Sequence, residues 1–197
     1  MYLKETFKNF TLVILLFFFV SCSTEEVDNN TLACNPGNID FLQEGNSWSY
    51  QTFVFGFESA TISLNVRGCN GNGFLVDRTI SDPSTNENTT STDLWREGDD
   101  FLLVDANGNT NAKIYKRNAQ MGETWMHDQA DGGIATHEVV SLDSTITVPA
   151  GTFKCVVYKY TATDIVNDSY VFWNDEVGNV KEDAGFFVLE LTDYTVN

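Results

Sequence analysis

Two histidines, His127 and His137, flank the segment DQADGG and are the only imidazoles in the 197-residue chain. A hairpin across that segment would set them side by side as metal ligands, with Asp128 or Glu138 as a third. Exposed histidines at strand edges are the competing expectation, and no metal is assigned. No Gly-x-Ser-x-Gly, His-Glu-x-x-His or Cys-x-x-Cys accompanies them, so nothing spells out a nucleophile beside its base. A second cluster lies in DANGNTNAK, where Asp105, Asn107, Asn109 and Asn111 alternate oxygen-bearing side chains as a calcium loop does. An EF-hand needs Gly at position six and Glu at position twelve, and this chain has Thr110 and Lys116 there. Asn107-Gly108 between FLLVD and AKIYK instead predicts a tight hairpin. The acid pairs Asp99-Asp100, Asp175-Glu176 and Glu182-Asp183 could supply glycosidase carboxylates about 5–10 Å apart. Among 28 acidic residues, however, such pairs are expected by chance. The expectation is a non-catalytic protein without cofactor.

The aromatic residues are more informative. Trp48, Trp95, Trp125 and Trp173 stand among 15 Phe and 7 Tyr, more than the outer faces of strands require. In SYVFWND, Tyr170 and Phe172 share one face and Val171 and Trp173 the other. In TFKCVVYKY, Phe153, Cys155 and Val157 oppose Val156, Tyr158 and Tyr160. Strands apolar on both faces must be covered on both, by a second layer or by a ligand. The expected function is binding of an apolar or glycan ligand on an aromatic-lined concave face, with Trp48, Tyr50, Trp125, Tyr158, Tyr170 and Trp173 as its lining. The alternative is a structural or adhesive cell-surface protein with no small-molecule ligand.

The elements that would carry these residues are strands. Segments rich in Val, Ile, Thr, Phe, Tyr and Trp alternate with Gly/Asn/Asp turns from residue 47 to 194, and no window shows a 3.6-residue apolar period. Some thirteen strands are predicted, among them 47–57, 60–67, 134–142 and 144–149, with 82–92 as the one long polar loop. Connections are too short for crossover helices, so pairing is antiparallel. Gly45-Asn-Ser-Trp48 and Gly122-Glu-Thr-Trp125 share Gly-x-[Ser/Thr]-Trp, either by coincidence or as the openings of two equivalent halves. Pro149-Ala150-Gly151 predicts a turn, and Gly178 a bulge or a close backbone approach. Asp143-Ser144-Thr145 resembles a short O-glycosylation acceptor, against the simpler reading of a turn.

The N-terminus speaks to location. Lys4 and Lys8 precede an apolar run, Phe10–Val20, which ends at Ser21-Cys22 and is followed by Glu25, Glu26 and Asp28. Eleven residues at about 1.5 Å each cannot cross a hydrocarbon core of roughly 30 Å, so the run reads as the apolar part of a secretory signal. With Cys22 behind the small Ser21, it resembles the lipobox of bacterial lipoproteins. That resemblance implies cleavage before Cys22 and its modification with acyl chains such as palmitate. The acids behind it resemble a signal for export to the outer face in some Gram-negative bacteria. The expected organisation is a signal peptide over 1–21, an acidic polar tether over 22–38 and an all-β domain over 39–197. The expected location is the outer membrane, anchored through Cys22 at the cell surface, with the periplasmic face as alternative. Removing residues 1–21 takes away Lys4, Lys8 and Glu5, so 11 basic and 28 acidic residues become 9 and 27 and the charge moves from −17 to −18. Such a balance disfavours nucleic acid as a partner. Export permits a disulfide; Cys34 and Cys69, both in turn contexts, are the expected pair, leaving Cys155 a buried thiol.

In the second half, Gly122-Glu-Thr-Trp125, then Ile146-Thr-Val148-Pro149-Ala150-Gly151-Thr152-Phe153, Tyr170-Val-Phe-Trp173 and Gly178-Asn-Val180-Lys181 follow in order. The series over about residues 41–194 resembles a family of Gram-negative envelope lipoproteins. That resemblance implies a long antiparallel sheet curled into an open half-barrel or barrel-like sandwich with little or no helix, akin to the lipoprotein carriers of LolA/LppX type. Those carriers hold acyl chains in the concave face.

Overall fold

A computed structural model describes residue 37 and residues 39–71, 73–163 and 167–197. The expected signal, the expected lipidation site Cys22, Cys34 and nearly all of the expected tether lie outside the described residues. Among those described there is no helix, and so none long and apolar enough to cross a membrane.

Twelve strands form one antiparallel sheet: β1 Ser47–Val54, β2 Phe57–Cys69, β3 Phe74–Asp82, β4 Glu87–Gly98, β5 Phe101–Ala106, β6 Asn109–Lys116, β7 Thr124–Asp128, β8 Ile134–Val148, β9 Gly151–Ala162, β10 Ser169–Asn174, β11 Gly178–Asp183 and β12 Phe187–Thr195. Their spatial order is β6-β5-β4-β3-β2-β1-β12-β11-β10-β9-β8-β7. The chain meanders outward through β1–β6 and returns through β7–β12, so two six-stranded halves are sewn together along β1–β12. That ladder is continuous from Ser47↔Thr195 to Val54↔Phe187 with one bulge.

The sheet curls until β6 faces β7, giving a nearly closed barrel rather than an open half-barrel. No ladder joins these two strands. Side chains bridge them instead: Trp125 Nε1 donates to the Lys113 carbonyl at 2.9 Å, Asn109 Oδ1 accepts from the Ala130 amide at 2.6 Å, and Lys116 pairs with Glu123. Closure removes most of the edge that an open sheet would expose.

The repeated Gly-x-[Ser/Thr]-Trp has a structural counterpart. Gly45 N donates to Val66 O and Val66 N to Asn46 O; likewise Gly122 N donates to Val139 O and Val139 N to Glu123 O. Both glycines have positive φ, 88° and 74°. Each tryptophan is buried two residues into the hydrogen-bonded start of its hairpin, so β1–β2 and β7–β8 are equivalent openings of the two halves.

Several local expectations hold. Asn107-Gly108 is the β5–β6 hairpin turn with positive φ at both residues. Residues 149–150 turn between β8 and β9, and Gly178 has φ 97° beside the Phe172/Trp173 bulge. Cys155 is free and buried, and burial pushes its thiol up to about 11. Three expectations do not hold. Residues 134–148 are a single strand whose register shifts near 142–143, so the Asp143-Ser144-Thr145 segment is a bulge within β8 rather than a turn. Phe55-Gly56 breaks the expected 47–57 strand with a two-residue turn of positive φ. The long polar loop 82–92 is mostly strand, β4 starting at Glu87. Threonine carries it: Thr92 Oγ1 donates to Asp77 at 2.7 Å and the Thr79 and Thr90 hydroxyls meet at 3.4 Å. β-branched residues favour strands even without an apolar face.

Candidate functional site

The barrel has two unlike ends. At one, the segment before β1 folds inward, burying Ile39, Phe41 and Leu42 completely or nearly so. The Phe41 ring meets Trp48 at 6.3 Å, Tyr115 at 5.9 Å and Trp173 at 5.7 Å. It also rests against the backbone of Gly178, where an added Cβ would stand 3.4 Å from the ring. Asn46, fully buried, donates to the Phe41 carbonyl at 2.9 Å and accepts from the Asn197 amide at 3.0 Å, fixing the segment. Three aromatic groups of this plug satisfy their polar atoms on protein: Trp48 Nε1 on Val177 O, Tyr115 OH on Asp175 Oδ1 and Tyr158 OH on Lys116 O.

Above the plug the interior is hollow. A chamber of about 360 Å³ is walled by Trp48, Tyr50, Ile62, Leu64, Trp95, Leu102, Val104, Ile114, Trp173, Phe187 and Leu189, with Arg78, Asp93, Asn179 and Glu182. A second, of about 670 Å³, is walled by His127, Gln129, His137, Tyr160, Asn167, Ser169, Val171, Asp183 and Phe186. Asn109, Ala112, Ile114, Glu182 and Phe187 belong to both walls, and the second chamber reaches the turns at the unplugged end. Beside that end lie Phe55 (75% exposed), Phe57 (77%) and Phe186 (46%), with the Phe55 and Phe186 rings 6.0 Å apart.

The electrostatics inside are nearly all uncharged or self-cancelling. Arg78 reaches Asp93 at 3.5 Å and Asn107 at 2.8 Å. Burial raises the Asp93 carboxyl against the lowering effect of Arg78. Burial likewise raises Glu182, whose Oε1 accepts from Asn179 Nδ2 at 2.7 Å. His137 is 3% exposed. Burial, with a lesser contribution from His127, pushes it down to about 3, so the ring is neutral at physiological pH. It stacks on Trp125 at 5.1 Å and 7°, with His127 5.4 Å and Tyr160 5.1 Å away. Neither of its nitrogens has a hydrogen-bond partner, nor do His127 Nδ1, Trp95 Nε1, Trp173 Nε1 or Asn179 Oδ1. An unpaired buried polar group costs about 1–3 kcal/mol, and five such residues in the walls of two adjoining chambers require a reason.

The β7–β8 hairpin does bring the two histidines together, with Trp125 opposite His137 and His127 opposite Ala135. His137 is buried and His127 half-buried in the cavity wall, rather than exposed. Among the described residues no cluster of three His, Cys, Asp or Glu could hold a metal. Asp105 is taken by Arg96 at 2.9 and 3.0 Å, an ion pair that holds its carboxyl below the usual range. The other calcium-like oxygens are likewise taken by protein donors, Asn107 by Arg78, Asn109 by the Ala130 amide and Asn111 by Arg96. Asp99-Asp100 form a turn of positive φ, and Asp175 takes the Tyr115 hydroxyl.

Of the expected lining, Trp48, Tyr50 and Trp173 face the first chamber. Trp125 and Tyr158 sit beneath, in the packed aromatic layer, 5.1 Å from each other. Tyr170 is 38% exposed on β10, the lining residues of that strand being Ser169, Val171 and Trp173. Sequence reading missed Arg78, Asp93 and the aliphatic wall, and weighed Glu182 only as one of a chance acid pair. Period-two alternation with Val76, Trp95 and Val180 was the signal that could have placed them inside.

No family model matches the chain, and no curated protein matches it. The fold does have a solved counterpart. A crystal structure of a candidate exported protein with a YmcC-like fold, from Bacteroides fragilis NCTC 9343, superposes with TM-score 0.56 at 16% identity, covering 79% of this chain and 99% of that one. This similarity is one of fold.

Proposed function

We propose that the chain is an envelope lipoprotein whose barrel binds an apolar ligand without catalysing its conversion. The observation that carries this reading is the hollow, unplugged interior. Each of its two chambers falls in the size range of small-molecule sites, and the wall is mostly aliphatic and aromatic with a few placed polar groups, as such sites are. The aliphatic wall of Ile62, Leu64, Leu102, Val104 and Leu189 favours a hydrocarbon-bearing ligand over a glycan. The exposed phenylalanines beside the unplugged end suit transfer of such a ligand. Ala112, 3% exposed and part of both walls, is the place to test it. Ala112→Trp fills the cavity, and titration of the full chain with an apolar fluorescent probe is expected to show at least tenfold weaker binding while the thermal midpoint stays within a few degrees.

Envelope location rests on the signal-like N-terminus with its lipobox, and on the exported character ascribed to the structural counterpart. The anchor is the lipid on Cys22, in the outer membrane and facing outward. Cys22→Ser is expected to shift the chain from the membrane to the soluble fraction; retention in the membrane would contradict the anchor. Cys34–Cys69 is the proposed bridge, supported by Cys69 being disulfide-bonded.

A further inference from the structure

The second chamber carries a polar pole that the protein leaves unsatisfied. His137 is nearly fully buried, lines that chamber and has two nitrogens without partners. Its position is fixed by the ladder that sets it between Trp125 and Tyr160 and by its stack on Trp125. His127 adds a further unpaired nitrogen beside it. The stack on Trp125 fixes the plane of the ring and so the directions of both nitrogens.

The charges around them restrict what the missing partner is. Among the described residues, the wall of the two chambers holds one cationic side chain, Arg78, and it is engaged by Asp93, Asn107 and Ser91. The carboxyl groups Asp93, Glu182 and Asp183 also stand in the wall. An anionic head would therefore be desolvated beside carboxyls with no free cation to receive it. A cationic head would find Asp93 already paired with Arg78 and Asp183 with Lys181, while burial raises the Glu182 carboxyl against its charged form. An uncharged hydroxyl or amide can both donate to and accept from a neutral imidazole. We propose that the ligand is a neutral amphiphile, such as a monoacylglycerol or fatty alcohol, whose uncharged polar head hydrogen-bonds His137 in the second chamber while its hydrocarbon occupies the first. This rests on the cavity-binding reading above.

The test is displacement of N-phenyl-1-naphthylamine from the full chain at pH 7.5 by 1-monodecanoylglycerol and by decanoate. The same titrations are made on His137→Phe, which keeps a ring on Trp125 and removes both nitrogens. The monoacylglycerol is expected to displace the probe at least tenfold more tightly than decanoate. In His137→Phe that preference should shrink by about five- to tenfold, the worth of one neutral hydrogen bond, each displacement being referred to the variant's own affinity for the naphthylamine. Decanoate binding as tightly as the monoacylglycerol, or an unchanged preference in His137→Phe, overturns the proposal while leaving the cavity reading intact. Failure of the naphthylamine to bind at all overturns both.

Discussion

Phe41→Ala lowers stability by roughly 3–5 kcal/mol, the usual cost of deleting a buried phenyl ring. For a chain of this size that corresponds to a fall in thermal midpoint on the order of 10 °C. The site is one where relaxation cannot repair the loss. The ring is 1% exposed, is wedged among Trp48, Tyr115 and Trp173, and lies against the Gly178 backbone. Three of these neighbours belong to different strands, β1, β6 and β10, so the phenyl group joins distant parts of the sheet. The tryptophans then meet water, and their emission should move to longer wavelength in the folded state. Phe41→Leu should recover more than half of the loss. A midpoint unchanged in Phe41→Ala would mean that the segment before β1 is not the plug.

Acid destabilises the barrel through His137. Unfolded, the ring takes a proton near pH 6.5; folded, burial holds it neutral down to about 3. The unfolded state thus binds more protons throughout that window, and stability falls as pH falls from 6.5 towards 3. Integrated over the window, the effect is roughly 3–5 kcal/mol, of which about 2–3 kcal/mol is already lost at pH 4.5. His127 shifts the same way by burial. Asp93 and Glu182, raised by burial, act in the opposite sense at the acid end. The difference between wild type and His137→Phe isolates the histidine. Urea midpoints of the two proteins should diverge below pH 6.5, with the variant the more acid-resistant, and run parallel above pH 7.5. Parallel curves throughout would mean that His137 is solvated.

What was legible in the sequence follows from what each signal depends on. Tight turns are local chemistry, so Asn107-Gly108 and the Pro149-Ala150 turn could be placed residue by residue. The all-β class followed from composition and the absence of a helical period. The Gly-x-[Ser/Thr]-Trp echo, left open in the sequence between coincidence and two equivalent halves, marks two equivalent hairpins, because a positive-φ glycine ahead of an inward tryptophan is a local arrangement. Closure was less accessible. Whether a sheet stops at half a barrel or meets itself depends on twist summed over twelve strands and on Trp125 reaching Lys113 across the seam. No residue near either one signals that contact. The site was only partly legible for a related reason. The aromatic residues looked like ligand surface, yet several of them form the plug, and the cavity wall is largely aliphatic. Arg78, Glu182 and His137 looked like ordinary charged or edge residues until the register turned them inward. Polar strand β4 was missed because threonine spacing carries no apolar alternation.

The central claim is that the barrel interior is a binding site, and titration of the full chain with N-phenyl-1-naphthylamine, in parallel with Ala112→Trp, tests it most directly. The wild type is expected to show one saturable site per chain and the variant at least tenfold weaker binding, with both proteins folded. Equal binding in the two would place the probe on the exposed phenylalanines Phe55, Phe57 and Phe186 and would contradict an interior site.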